Sequence, residues 1–276
     1  MGILSKINHQ ISGQGPRKLV FLHGLIGSGN NWSRVVRLFD PNEFTILTYD
    51  QRGHGRSFQP PTGYGANDFA GDLLEAINEL NWSQIDLVGH SMGGRVALTF
   101  ASLYPEKLKS LTIEDIGIEP RPANTSKIES YITRVPTPFA DRKSAKSYLF
   151  GPFIDSLTGA SNAKDLANFF YANLTEKESG PDKTLTVDWR FFKEGILETL
   201  KENQNVDRSA LWAAIKVPLM LIRGVTSTDL TQSEFDRMIA LNPQCKGVVV
   251  ADAGHWVHFD QPDVFFKHLN TFLKSF

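Results

Sequence analysis

The chain has 276 residues, of which 41% are hydrophobic and 21% charged, the composition of a soluble globular protein and far from that of disordered or collagenous chains. Its 29 basic and 30 acidic side chains leave a formal charge of −1, which gives no reason to expect nucleic acid or an anionic membrane surface as a partner. The single cysteine, Cys245, cannot form an internal disulfide, so a reducing, cytoplasmic setting is expected. Met1 to Asn8 lack the apolar stretch of a signal peptide, and no window of about 20 apolar residues predicts a membrane span.

From Arg17 onward, short apolar runs alternate with segments of helical period, the rhythm of parallel strands joined by crossover helices. Lys18 to Leu22 reads as a buried strand, followed by a helix carrying Trp32, Val35, Val36 and Phe39 on one face. Phe44 to Tyr49 is the next strand. After a loop rich in Gly and Pro, Phe69, Leu73, Ile77 and Leu80 mark a second helix. The strand Ile85 to Val88 runs into Gly89 and a helix from Ser91 to about Tyr104, and Leu108 to Ile113 is a further strand. The rhythm breaks at Gly117 and resumes near Val217, with strands at Val217 to Ile222 and Lys246 to Val250, a helix around Ser233 to Leu241, and a closing helix with Pro262 in its first turn. The interruption, punctuated by prolines and dense in aromatics, shows no strand pattern and predicts a helical insertion over the sheet. The expected organisation is an α/β core over 1–116 and 209–276 with a helical cap over 117–208.

The strongest chemical signal is Gly89-His90-Ser91-Met92-Gly93. A Gly-x-Ser-x-Gly match carries weight only between a strand and a helix, and both are present here. Ser91 is then a nucleophile on a tight turn. An attacking serine needs donors for the oxyanion it creates: the N–H of Met92 at the helix start, and that of Leu25 in the loop after the first parallel strand. The run Gly24-x-x-Gly27-x-Gly29 is not a dinucleotide fingerprint, because its glycine spacing is reversed and no acidic residue stands ready for a ribose, so no cofactor is expected. Serine also needs a base, and His255 in Ala253-Gly254-His255 follows the last strand at the same sheet edge. His23, His54, His90 and His258 read as structural members of turns and helix starts. No cluster has the sequence spacing of a metal site.

Phe21-Leu-His-Gly24, Tyr49-Asp-Gln-Arg-Gly-His-Gly-Arg-Ser57, Gly89-His-Ser-Met-Gly-Gly94 and Ala253-Gly-His-Trp-Val-His258 resemble, in order and spacing, the α/β-hydrolase superfamily over essentially the whole chain. The resemblance implies a mostly parallel, doubly wound sheet with a helical cap, and a Ser/His/acid triad. In the commonest pattern of that family the acid would fall on Ser227, which is no acid, and Asp229 lies two residues late. The end of an earlier strand, Leu111-Thr-Ile-Glu114-Asp115-Ile116, instead resembles a smaller esterase subgroup that includes α/β-hydrolase domain-containing protein eleven and short-chain bacterial esterases. The resemblance implies Asp115 as the acid orienting His255, with Asp229 as the alternative; Glu114 should face the other way along an alternating strand. Trp189-Arg190 in the cap also fits the subgroup, but Phe191-Phe192 departs from it.

A serine carboxylic-ester hydrolase acting on small to medium acyl esters is therefore expected, its partner a small-molecule ester. The alternatives are an acyltransferase or acyl thioesterase using the same acyl-enzyme, and a ligand-binding receptor of the same fold. A serine at the elbow argues against the dehalogenases and epoxide hydrolases of this fold, which the resemblance gives an aspartate there.

Overall fold

A computed structural model describes residues 2–120, 122–157, 163–179 and 181–276. Seven strands form one sheet: β1 (His9–Ser12), β2 (Arg17–Leu22), β3 (Phe44–Tyr49), β4 (Ile85–His90), β5 (Leu108–Glu114), β8 (Leu219–Gly224) and β9 (Cys245–Val250). A separate ribbon pairs β6 (Leu174–Ser179) with β7 (Thr184–Trp189). The sheet order is β1-β3-β2-β4-β5-β8-β9, parallel throughout except for β1, which runs antiparallel to β3.

The near-continuous apolar runs of the central strands follow from helices covering both faces. Along β2, Leu19 and Phe21 belong to one core and Val20 and Leu22 to the other, as a side-chain period of two requires. One face packs on the helices Ala66–Glu79, Met92–Leu103 and Ser209–Ala214; the other packs on Trp32, Val35 and the closing helix Pro262–Leu273. Helix Ala66–Glu79 buries Phe69, Leu73, Ala76 and Ile77, the single stripe its sequence period announces.

Three strands escaped the sequence reading. β1 is a four-residue edge with an exposed or half-exposed face throughout, so it carries no apolar run to read. β6 and β7 lie within the segment expected to be helical, and their Thr, Glu, Lys and Asp content hides the buried Val187 and Trp189. The segment is otherwise helical and has a hydrophobic cluster of its own, built on Ile132, Phe153, Phe170, Val187, Trp189 and Ile196. It is tied to the loop after β3: Phe192 N–H donates to Gly53 O at 2.7 Å, and the Glu198 carboxylate accepts from the N–H groups of Gly63 and Tyr64.

The strand order reverses between β2 and β4, which are neighbours while their onward connections leave in opposite directions. Such a switch point opens a crevice at the carboxyl ends of the two strands. The loops that begin with His23 and Ser91 meet there. Among the described residues no helix is long and apolar enough to cross a membrane.

Candidate active site

Ser91 lies between β4 and the helix Met92–Leu103 with φ 52° and ψ −115°, a strained conformation for a residue with a side chain. Close packing enforces the turn. A Cβ on Gly93 would sit 2.5 Å from Leu22 O, and one on Gly89 2.3 Å from Gly93 O, so neither position admits a side chain. The Ser91 N–H donates to Glu114 O at 3.1 Å, anchoring the turn to the end of β5.

Asp115, the next residue after Glu114, is also held at positive φ, 50°. Its side chain is fully buried and accepts three hydrogen bonds: from His255 Nδ1 at 2.8 Å, from the Gly224 N–H at 3.1 Å, and from the Ser227 hydroxyl. An ionised carboxylate against Nδ1 fixes the imidazole proton there and leaves Nε2 with a lone pair. Asp229 Oδ2 is also close, 3.7 Å from the same nitrogen, but its side chain is 34% exposed where that of Asp115 is 0%. Burial pushes the Asp115 carboxyl up from its ordinary range, and the bonds from His255, Ser227 and Gly224 pull it part of the way back. For His255, burial acts to lower the imidazole, yet the Asp115 hydrogen bond and the charges of Asp229, Asp115 and Glu114 outweigh it and leave the pKa raised.

Ser91 and His255 line one cavity of about 270 Å³, floored by Gly24 and His90 and roofed by Tyr131, Phe169 and Phe170 of the inserted segment. A recess of about 60 Å³ joins Ser91, Leu25, Met92, Arg95 and Ile116. A larger cavity of about 510 Å³ lies at the β1 edge, between Asn8 and Arg190, and includes none of Ser91, His255 or Asp115, so size does not locate this site.

Residues 18–262 match the family model for the alpha/beta hydrolase fold. The chain belongs to the α/β-hydrolase family. The chain is 25% identical over 270 residues to 2-(acetamidomethylene)succinate hydrolase of Mesorhizobium japonicum, covering 98% of this chain and 92% of that one. It is 29% identical to sn-1-specific diacylglycerol lipase ABHD11 of Mus musculus, covering 92% of this chain and 80% of the relative. Among solved structures, a marine microorganism esterase superposes with a TM-score of 0.79 at 26% identity, covering 97% of this chain and 99% of that one. These relatives make a hydrolase the coarse reading of this α/β-hydrolase chain.

The remaining histidines of the hydrolase divide as their surroundings dictate. His23 is buried; its Nδ1 lies 2.8 Å from Gly24 O and its Nε2 accepts from the Gln51 N–H at 2.9 Å, so the ring spans two loops and is held below its ordinary pKa by burial. His54 is likewise buried and pushed down to about 3. Two sets of contacts could not be read from the sequence. Ser227, at the place where the commonest family pattern has its acid, instead donates to the acid delivered by β5, and its oxygen accepts from the N–H groups of Asp229 and Leu230 at 3.2 and 3.4 Å. His90, Glu114 and His258, remote in sequence, bring ligand-type atoms within 4.8 Å of one another, a cluster that motif spacing could not reveal. Its atoms already bond within the protein. His258 Nδ1 lies 2.9 Å from both Glu114 oxygens, its ring stacks on Trp32 at 4.1 Å, and His90 Nε2 lies 2.9 Å from His255 O. The cluster is thus a buried strut under the His255 loop.

Proposed function

We propose that this chain is a serine carboxylic-ester hydrolase for small to medium acyl esters. The observation that carries the reading is the 2.8 Å bond between His255 Nδ1 and Asp115 Oδ2, beside a serine on a glycine-walled elbow that lines the same cavity as His255. In this reading Ser91 Oγ attacks the ester carbonyl carbon while His255 Nε2 takes the hydroxyl proton. The oxyanion accepts hydrogen bonds from the backbone N–H groups of Leu25 and Met92. Met92 is the first residue of its helix, where an N–H has no intrahelical acceptor, and both residues line the recess beside Ser91. The carbon–alkoxide bond then breaks, with the proton passing from Nε2 to the departing alcohol. Water, deprotonated by the same nitrogen, releases the acid and restores Ser91. Asp115 steadies the imidazolium in both halves.

The segment over 117–208 acts in this reading as a cap whose aromatic side chains receive the apolar part of the ester. The neutral composition and the lone buried Cys245, whose thiol burial pushes up to about 12, support a cytoplasmic enzyme meeting small molecules. A p-nitrophenyl ester series from acetate to laurate, run on wild type and Ser91→Ala, tests the reading. Turnover that peaks at short or medium chains and disappears in the variant supports it; unchanged turnover in Ser91→Ala overturns it. An excess of added alcohol that yields new ester faster than free acid would instead make the chain a transferase.

A further inference from the structure

His255 Nδ1 faces two carboxylates, not one. Asp115 closes on it at 2.8 Å from the end of β5, and Asp229 stands at 3.7 Å on the loop after β8. The two acids differ in their surroundings. Asp115 is sealed in the protein with all its bonds made, whereas Asp229 lines both the main cavity and the recess beside Ser91. The Asp229 backbone is held by Ser227 Oγ, and that same hydroxyl donates to Asp115, so one side chain sets the spacing of both acids.

Resting on the esterase reading above, we propose that Asp229 is a positioning residue, a second carboxylate that shares with Asp115 the imidazolium charge at His255 Nδ1. Its partner relations make this its plainest use. Among the described residues the one ion pair of Asp229 is with His255. The other charged groups facing His255 are Asp115 and Glu114 from β5, with His90 from β4 as a titratable neighbour whose ring lies 4.7 Å away. His258, on the following turn, is engaged with Glu114, and Lys127 lies across the cavity. Asp229 is partly hydrated, its side chain 34% exposed, and stands 3.7 Å from Nδ1. A charged group near the cavity therefore stabilises the imidazolium formed during attack, while the buried acid fixes its direction.

The test is the pH profile of kcat/KM on p-nitrophenyl butyrate between pH 5 and 9 for wild type, Asp229→Asn, Asp115→Asn and the double variant, with Ser91→Ala as the control for the underlying reading. Asp229→Asn should move the acid-limb midpoint down by about half a unit to one unit, since removing a neighbouring negative charge makes the imidazole easier to deprotonate. Asp115→Asn should retain roughly tenfold more turnover than the double variant, because the remaining carboxylate still opposes Nδ1. The His255 ring titration, followed by NMR in the same variants, reads the shift where turnover is too weak. A midpoint unchanged in Asp229→Asn overturns the proposal, even with Ser91→Ala inactive; an active Ser91→Ala overturns the esterase reading instead.

Discussion

Asp115 and His255, 140 residues apart in the chain, meet through a 2.8 Å hydrogen bond between Oδ2 and Nδ1. The bond requires β5 to end beside β8 and the His255 loop to fold back over both. Asp115→Asn replaces the acceptor with an amide that can favour the wrong imidazole tautomer. We expect kcat to fall by about 10²- to 10⁴-fold with KM changed little, checked by steady-state kinetics on a short-chain ester. A loss below about threefold would remove Asp115 from the proposed triad.

In the proposed mechanism His255 must be neutral to accept the Ser91 proton, and its pKa is raised from the ordinary histidine value. Activity should therefore climb through a midpoint above 6.5 and fade below it, as a kcat/KM profile will show. Stability should respond in the opposite sense. A histidine whose pKa is higher folded than unfolded contributes stability fully below the unfolded value, and that contribution is lost as pH rises through the folded one. Urea midpoints collected on both sides of that window, with His255→Ala as the reference, would detect the term.

Ser227→Ala removes one of the three donors on the buried Asp115 carboxylate. A hydrogen bond to a charged group contributes about 1.5–3 kcal/mol, so a loss of that order is expected in denaturant unfolding. Turnover should drop as well, since a less solvated carboxylate takes up a proton more easily and steadies the imidazolium less. Unaltered stability and rate would show that the Ser227 hydroxyl is a bystander.

Glu114 and His258 form a buried pair beneath the His255 loop, with side chains 0% and 2% exposed. Removing one partner strands the other in the core, so His258→Ala should cost about 3–5 kcal/mol of stability. Chemical denaturation of the variant measures it. The proposed esterase activity of whatever fraction stays folded should also fall, because His90, whose ring lies 5.0 Å from that of His258, carries the carbonyl of His255.

Gly93→Ala tests the elbow's packing, since its Cβ would lie 2.5 Å from Leu22 O and 2.7 Å from His23 O. Both atoms are backbone, so neither can step aside without moving β2. A penalty above about 2 kcal/mol, or failure to accumulate folded protein, is expected in expression and melting experiments.

Much of this molecule was legible in one dimension because its determinants are local. The apolar runs of β2, β3, β4, β5, β8 and β9 announce buried parallel strands, the Gly89 to Gly93 turn needs only its own glycines and flanks, and His255 follows the last strand directly. The exposed edge β1 and the polar ribbon β6–β7 carried no such period and were missed.

What the tertiary structure alone decided is which distant groups share an atom. The subgroup resemblance already put Asp115 ahead of Asp229, but only packing seals the one against Nδ1 at 2.8 Å while leaving the other at 3.7 Å and partly wet. Ser227 became a donor to the acid, and His90, Glu114 and His258 became one strut, through the same cause. Side-chain type is a property of the chain, but burial, distance and dielectric surroundings exist only once strands far apart in sequence lie next to one another.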